Sequence, residues 1–171
     1  FVISTHESPD WDGLGAEIAM FELLKNLGKK PLIINSDPTP DSFQFLDLEH
    51  DINVMNGDFT LPDDITEYAQ LVLDTNDYDN IGSAYHVLKD KVRAYFIVDH
   101  HEGDAERIGS NIVKAEASSA CEIMYHIIMH YGKPISLRAA QALFAGIVFD
   151  TGSFVYPKTS PETFRIAAHL E

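Results

Sequence analysis

Ala94-Tyr95-Phe96-Ile97-Val98-Asp99-His100-His101 is the stretch that decides the fold. Its first five residues are apolar without a break and lack helical spacing. They read as a short strand buried on both faces, the kind found in parallel sheets. Residues that come directly after such a strand land on the carboxyl edge of the sheet, where α/β proteins bind ligands. Here that edge receives an acid and two histidines.

Nearer the N-terminus, residues 71–73 (Leu-Val-Leu) form a second buried strand, ending on Asp74. Residues 1–5 form a third, followed by His6, Asp10 and Asp12, and residues 31–35 a fourth. Residues 52–55 are a short strand before an Asn56-Gly57 turn, and residues 111–113 an edge strand. Between them lie helical patterns. Residues 13–27 carry apolar positions at Leu14, Ile18, Phe21, Leu24 and Leu27, with Gly28 as the stop. Residues 81–91 are helical. Ser119 to Glu122 match a capping box for a helix running to Tyr131. Ser136 caps the next helix, which reaches Asp150, and Pro161 opens a last one. Residues 36–50 are a loop with one short helix. Strands alternating with helices predict an α/β fold, a mainly parallel sheet flanked by helices.

Composition bounds the rest. The chain has 171 residues, 45% of them hydrophobic and 23% charged. That is ordinary for one globular domain and excludes disordered and collagen-like classes. No apolar run approaches the roughly 20 residues of a membrane span. A single cysteine, Cys121, excludes an internal disulfide and fits a reducing compartment, so a cytoplasmic location is expected. Twelve Lys and Arg stand against 27 Asp and Glu, a net charge of −15, which repels long nucleic acid. The chain opens on an apolar run at Phe1 and stops in a helical stretch at Glu171, so a piece of a longer protein is expected.

The chemistry gathers at the strand ends. His6, Asp10, Asp12, Asp74, Asp99, His100, His101 and Asp150 all follow apolar runs. Converging carboxylates repel one another, and divalent cations relieve that repulsion. Asp with His suits Mn²⁺, Zn²⁺ or Fe²⁺, and an oxygen-rich set without Cys favours Mn²⁺ or Mg²⁺. So many ligands suit two ions, roughly 3.5–4 Å apart, clamping a phosphate. Asp150 ends a helix, where the dipole disfavours a bare carboxylate and a cation compensates.

These segments resemble the DHH phosphoesterase superfamily. His6-Glu-Ser-Pro-Asp10-Trp-Asp12-Gly-Leu-Gly15 is similar to its first motif and Leu73-Asp74-Thr-Asn-Asp77 to its second. Val98-Asp99-His100-His101 is similar to its third and Gly146-Ile-Val-Phe-Asp150-Thr-Gly152 to its fourth. Glu116-Ala-Ser-Ser119 and Asp150-Thr-Gly-Ser-Phe154 are nearest to the nano-RNase and pAp-phosphatase branch. The resemblance covers residues 1–171 as an N-terminal catalytic domain, and no Gly-rich C-terminal substrate domain follows in them. It implies a first ion on His6 and Asp10, a second on Asp12, His100 and Asp150, and Asp74 bridging them. It implies that Asp99 orients a neighbour and that His101 faces substrate as a general acid. Trp11 and Ala16 depart from the family pattern at positions that are not ligands.

The function implied is divalent-metal-dependent phosphoester hydrolysis, with Mn²⁺ first and Mg²⁺, Co²⁺ or Fe²⁺ as alternatives. Expected substrates are short oligoribonucleotides, linear dinucleotides or pAp, with no membrane and no long duplex as partner; a homodimer is admitted. The alternatives are a manganese-dependent inorganic pyrophosphatase or exopolyphosphatase, and a non-catalytic nucleotide- or metal-binding module. Other residues take structural readings. His126 and His130, four apart, are plain helix residues, since no acid joins them at strand ends. Cys121 is a core residue, Lys29 and Lys30 a solvated helix end, and Trp11 packs locally. Gly13-Leu-Gly15 is a tight turn that brings backbone close to the metals. Arg107 and Lys158 are the few bases near the ligands.

Overall fold

A computed structural model describes residues 1–55, 59–103 and 111–171. The Asn56-Gly57 turn and Arg107 lie outside the described residues. Six strands form one sheet: β1 (Val2–Ser4), β2 (Leu32–Asn35), β3 (Ile52–Val54), β4 (Ala69–Leu73), β5 (Ala94–Asp99) and β6 (Ile112–Val113). The order is β3-β2-β1-β4-β5-β6 and every pairing is parallel. Among the described residues five α-helices accompany it: α1 (Trp11–Asn26), α2 (Ser83–Leu88), α3 (Ala120–His130), α4 (Leu137–Asp150) and α5 (Pro161–Leu170). Among the described residues, no helix is long and apolar enough to cross a membrane.

The strand order sets where ligands go. From β1 the chain builds outward to β3, then returns and builds the other way from β4 to β6. Connections therefore diverge between β1 and β4, and a crevice opens at their carboxyl ends. The apolar runs are continuous because both faces are covered. Ile3, Ile33, Leu73 and Val98 pack with α1, α3 and α4 on one face. Their neighbours Val2, Ile34, Val72 and Ile97 pack on the other, against Leu88, Ile81 and Ala84.

Most helix boundaries follow the sequence signals. Gly28 stops α1 with φ 72°, a left-handed conformation that costs glycine little. Ser136 accepts the Ala139 N–H, and Ser160 forms a capping box with Thr163 beside Pro161. Two expectations need correction. The capping box at Ser119 is half made: Ser119 accepts the Glu122 N–H at 3.0 Å, but Glu122 turns to the hydroxyls of Ser118 and Thr163. The helix over residues 81–91 is shorter, a 3₁₀ turn at Tyr78–Ile81 followed by α2. Gly82 separates them at φ 70°, and a Cβ there would strike the Glu7 side chain. The break is thus imposed by a segment that carries site residues.

Arg138 in α4 ties the first half of the chain to the second. Its guanidinium donates to the Leu46 carbonyl at 2.8 Å and pairs with Asp51, Asp47 and Glu22. Its side chain is 19% exposed, so screening is incomplete. Arg138→Ala would strand those carboxylates, costing about 2–3 kcal/mol. The expected loss in Tm is roughly 5–10 °C, read by thermal melting.

Candidate metal centre

The site is assembled from four segments around the crevice. The first leaves β1 through His6 and enters α1. Asp10 caps that helix, its Oδ1 accepting the N–H groups of Asp12 and Gly13 at 3.0 and 3.1 Å. The loop before it is pinned: Glu7 N–H donates to the Asn80 carbonyl and Ser8 N–H to Asp37, at 2.6 and 2.7 Å. Asp12 does not cap its own helix. Its carboxylate accepts the N–H groups of Ala120 and Cys121 at 2.6 and 2.9 Å, so it caps α3, more than a hundred residues away in sequence.

Gly13 and Gly15 lie within α1, not in a turn. A Cβ on Gly13 would come 2.4 Å from Thr5 Oγ1, and one on Gly15 2.5 Å from the Ala142 carbonyl oxygen. Their smallness lets α1 press against β1 and α4, which carries Asp12 into the crevice. Asp74 follows β4 with φ 62°, a left-handed backbone that aspartate tolerates better than most residues. Asp99, His100 and His101 close β5, and Asp150 ends α4.

All eight predicted residues meet. His6 Nε2 lies 3.8 Å from Asp10 Oδ1 and 3.6 Å from Asp74 Oδ2. His100 Nε2 lies 3.7 Å from Asp12, 3.4 Å from Asp74 Oδ1 and 3.3 Å from Asp150. Asp74 thus turns one oxygen toward each histidine. Three groups form, His6-Asp10-Asp74, Asp12-His100-Asp150 and Asp74-His100-His101, with ligand atoms in each within 4.8 Å of one another. His101 lies at the rim of the third group: its Nδ1 is 2.8 Å from Asp99 Oδ1 and 3.7 Å from Asp74 Oδ1, and its ring is 56% exposed at the cleft. Among the described residues, every acid–histidine group able to hold an ion belongs to this centre.

The donor set fits divalent cations. Asp74 Oδ1 and His100 Nε2 are buried and without a hydrogen-bond partner. A native interior seldom leaves such atoms unpaired. Separations of 3.3–3.8 Å are long for hydrogen bonds but near the roughly 3 Å spacing of donors around one ion. The Nδ1 atoms of His6 and His100 face the carbonyls of Glu7 and Ala117 at 2.8 and 3.4 Å. A proton on Nδ1 leaves the Nε2 lone pair for a metal.

Without cations, protons take their place. Burial alone would lower the pKa of His6, but the neighbouring carboxylates of Asp10 and Asp74 push it up to about 11. Burial likewise opposes protonation of His100, yet Asp74, Asp12 and Asp150 hold it at about 9. Burial raises the carboxyls of Asp12 and Asp150, and the Asp74 charge adds to both. Asp74 itself is lowered, because His100 and His6 outweigh its burial. The Asp99 hydrogen bond raises His101.

The centre opens on a cleft of about 570 Å³. Its walls carry Glu7, Asp77, Glu102, Asn76 and Asn80, with no Lys or Arg among the described lining residues. Lys158 donates to the His100 carbonyl at 3.1 Å and so braces backbone. The residues set aside on sequence behave as expected. Trp11 packs edge-on against Phe43 at 5.7 Å, Lys29 and Lys30 are exposed, and His126 and His130 sit apart from the centre on α3. Cys121 is buried, its thiol pushed up by burial, and donates to the Asp12 carbonyl at 3.3 Å. No periodicity or motif singles out Glu17, Asn35 and Thr5, which lie buried beneath His6.

Residues 1–147 match the pattern of the DHH family, N-terminal domain. The chain is 28% identical to the probable bifunctional oligoribonuclease and PAP phosphatase NrnA of Streptococcus mutans, over 99% of this chain and 51% of that protein. It is 29% identical to the bifunctional oligoribonuclease and PAP phosphatase NrnA of Thermus thermophilus, over 98% of this chain and 48% of that protein. It thus spans about half the length of these curated relatives. Among solved structures, an exopolyphosphatase-related protein from Bacteroides fragilis superposes with a TM-score of 0.84 at 23% identity, covering 99% of this chain and 51% of that one. A putative family II inorganic pyrophosphatase from Methanococcus jannaschii gives 0.69 at 17%, covering 99% and 55%.

Proposed function

The chain belongs to the DHH family as its N-terminal domain, and from that we propose that it is the metal-binding part of a phosphoesterase that hydrolyses short oligoribonucleotides, linear dinucleotides or pAp. The observation that carries this is Asp74, buried between two histidines with one oxygen toward each. His6, Asp10 and Asp74 would hold one cation, and Asp12, His100 and Asp150, with Asp74 shared, a second. Mn²⁺ is the ion of choice for such an oxygen-rich set with histidine. Bound there, the ions supply Lewis-acid polarisation of a phosphoryl oxygen and of an attacking water.

The protein's own part is orientation and proton transfer. Nδ1 contacts to carbonyls fix the rings of His6 and His100. Asp99 accepts from His101 Nδ1 and favours its charged form, leaving Nε2 as the ring's other polar atom. From the cleft wall that Nε2–H hands a proton to the departing oxygen. The acidic cleft walls repel a polyanion away from the ions, which favours a short substrate.

Phosphate and mononucleotide release are to be measured with the Mn²⁺-loaded chain, using pApA, pAp and pyrophosphate side by side. Cleavage of pApA or pAp above pyrophosphate is the expected result. Turnover of pyrophosphate alone would assign the pyrophosphatase alternative. Two bound ions with no turnover of any of the three would make the chain a binding module.

A further inference from the structure

We infer that Glu17, acting through Asn35 and Thr5, is a positioning residue for the first cation site, His6-Asp10-Asp74, a role that rests on the metal centre proposed for this chain.

At the mouth of the crevice the sheet runs out of ladder. The β1–β2 pairing ends at Ile3 opposite Ile33, and the β1–β4 pairing at Ser4 opposite Val72. Thr5 comes next, directly before His6. Its backbone has no strand partner there, yet it is fully buried. Side chains replace the missing ladder. Asn35 Oδ1 accepts the Thr5 N–H at 3.2 Å, and Thr5 Oγ1 donates to the Leu73 carbonyl at 2.9 Å. Leu73 precedes Asp74. The same Oγ1 packs where Gly13, beside Asp12, has no Cβ. Thr5 therefore ties together two of the four segments that bring ligands, its own and the one ending on Asp74.

Glu17 holds this junction from below. Asn35 Nδ2 donates to Glu17 Oε2 at 2.8 Å, and both side chains are fully buried. With the amide fixed by that bond, its oxygen points at Thr5. Glu17 Oε1 has no partner. A carboxyl group carried two turns into α1 with one oxygen unpaired is a costly way to fill space. Its return is a fixed end of β1. Loss of the clamp lets His6 drift from Asp74 while leaving Asp12 hydrogen-bonded to the start of α3, His100 beyond β5 and Asp150 at the end of α4.

The test is Mn²⁺ titration of the whole chain by calorimetry and electron paramagnetic resonance, with fold checked by circular dichroism. Asn35→Leu should weaken one of the two ions about 10–100-fold, the range for groups that orient metal ligands, and the other less than about twofold. Glu17→Leu should shift the same ion in the same direction, and it serves as the readout if Asn35→Leu does not fold. Glu17→Gln, which keeps an acceptor for Asn35, should stay within about threefold of wild type. In a His6→Ala background Asn35→Leu should cost nothing further, whereas in an Asp150→Asn background its cost should add in full. Equal weakening of both ions, or of neither, in folded variants overturns the inference. Wild-type chain that takes up no Mn²⁺ overturns the metal reading and the inference together.

Discussion

Asp74→Asn is expected to abolish most of the stabilisation that Mn²⁺ confers, together with all measurable turnover. A ligand bound only to the native state at a hundredfold excess over its Kd adds about 2.7 kcal/mol. For a chain of this size that is roughly 5–10 °C in Tm per ion. Asp74 belongs to the His6-Asp10-Asp74 group and lies 3.4 Å from His100 of the other, so its loss touches both. Asparagine tolerates the left-handed backbone at this position as well as aspartate does, so the variant isolates the charge. The effect has a definite pH dependence. In the cation-free fold His6 and His100 titrate near 11 and 9, above the ordinary 6.5. The folded state thus holds protons that the unfolded chain lacks, and their stabilisation is full below pH 6.5 and fades as pH rises through 9. Cations must displace those protons, so they bind more tightly as pH rises. Melting curves of chelated protein with and without Mn²⁺, at pH 6.5 and 8.5, should show the larger gain at 8.5. A curve that Mn²⁺ leaves unchanged at both values counts against the centre itself.

His101→Ala should behave in the opposite way. The ring lies at the cleft and its Nδ1 is committed to Asp99 at 2.8 Å, whereas His100 sits among Asp12, Asp74 and Asp150. Removing His101 should leave two ions bound and reduce turnover about 10²–10⁴-fold, the range for a positioned acid. Removing His100 should cost one ion. Metal content and kcat measured on both variants separate these outcomes, and equal ion loss in the two would reverse the assignment. His101 Nδ1 is also 3.7 Å from Asp74. That is longer than its contact with Asp99, so orientation by Asp99 dominates.

The ends that carry the candidate ligands are legible in the sequence because a buried strand has to stop, and polar residues mark the stop. Asp74, Asp99 and Asp150 each end an apolar run, and each ends or directly follows an element in the structure. Helix caps are legible for the same local reason, as at Ser136 and Ser160. Contacts between distant segments are not. That Asp12 caps α3, that Glu122 leaves its own cap for Thr163, and that Gly82 breaks a helix against Glu7 all depend on neighbours set by strand order. Periodicity reports which face of an element is buried, never what it is buried against. Glu17 escapes notice because, in a helix pattern, an acid among apolar residues reads as the solvent side.

The place of β1 in the middle of the sheet governs how the protein comes into being. Once made, β1 has no partner until β2 closes a loop of about 30 residues, and its other side waits for β4, 68 residues on. The centre waits longer still, since Asp150 arrives 144 residues after His6 in a chain whose pairings are all non-local. Until β4 pairs, β1 is an apolar strand with an open edge, followed by acids in no fixed geometry. The −15 charge that burdens the finished cleft keeps such unfinished chains apart, because like-charged intermediates resist association. The same acidity thus safeguards the nascent chain.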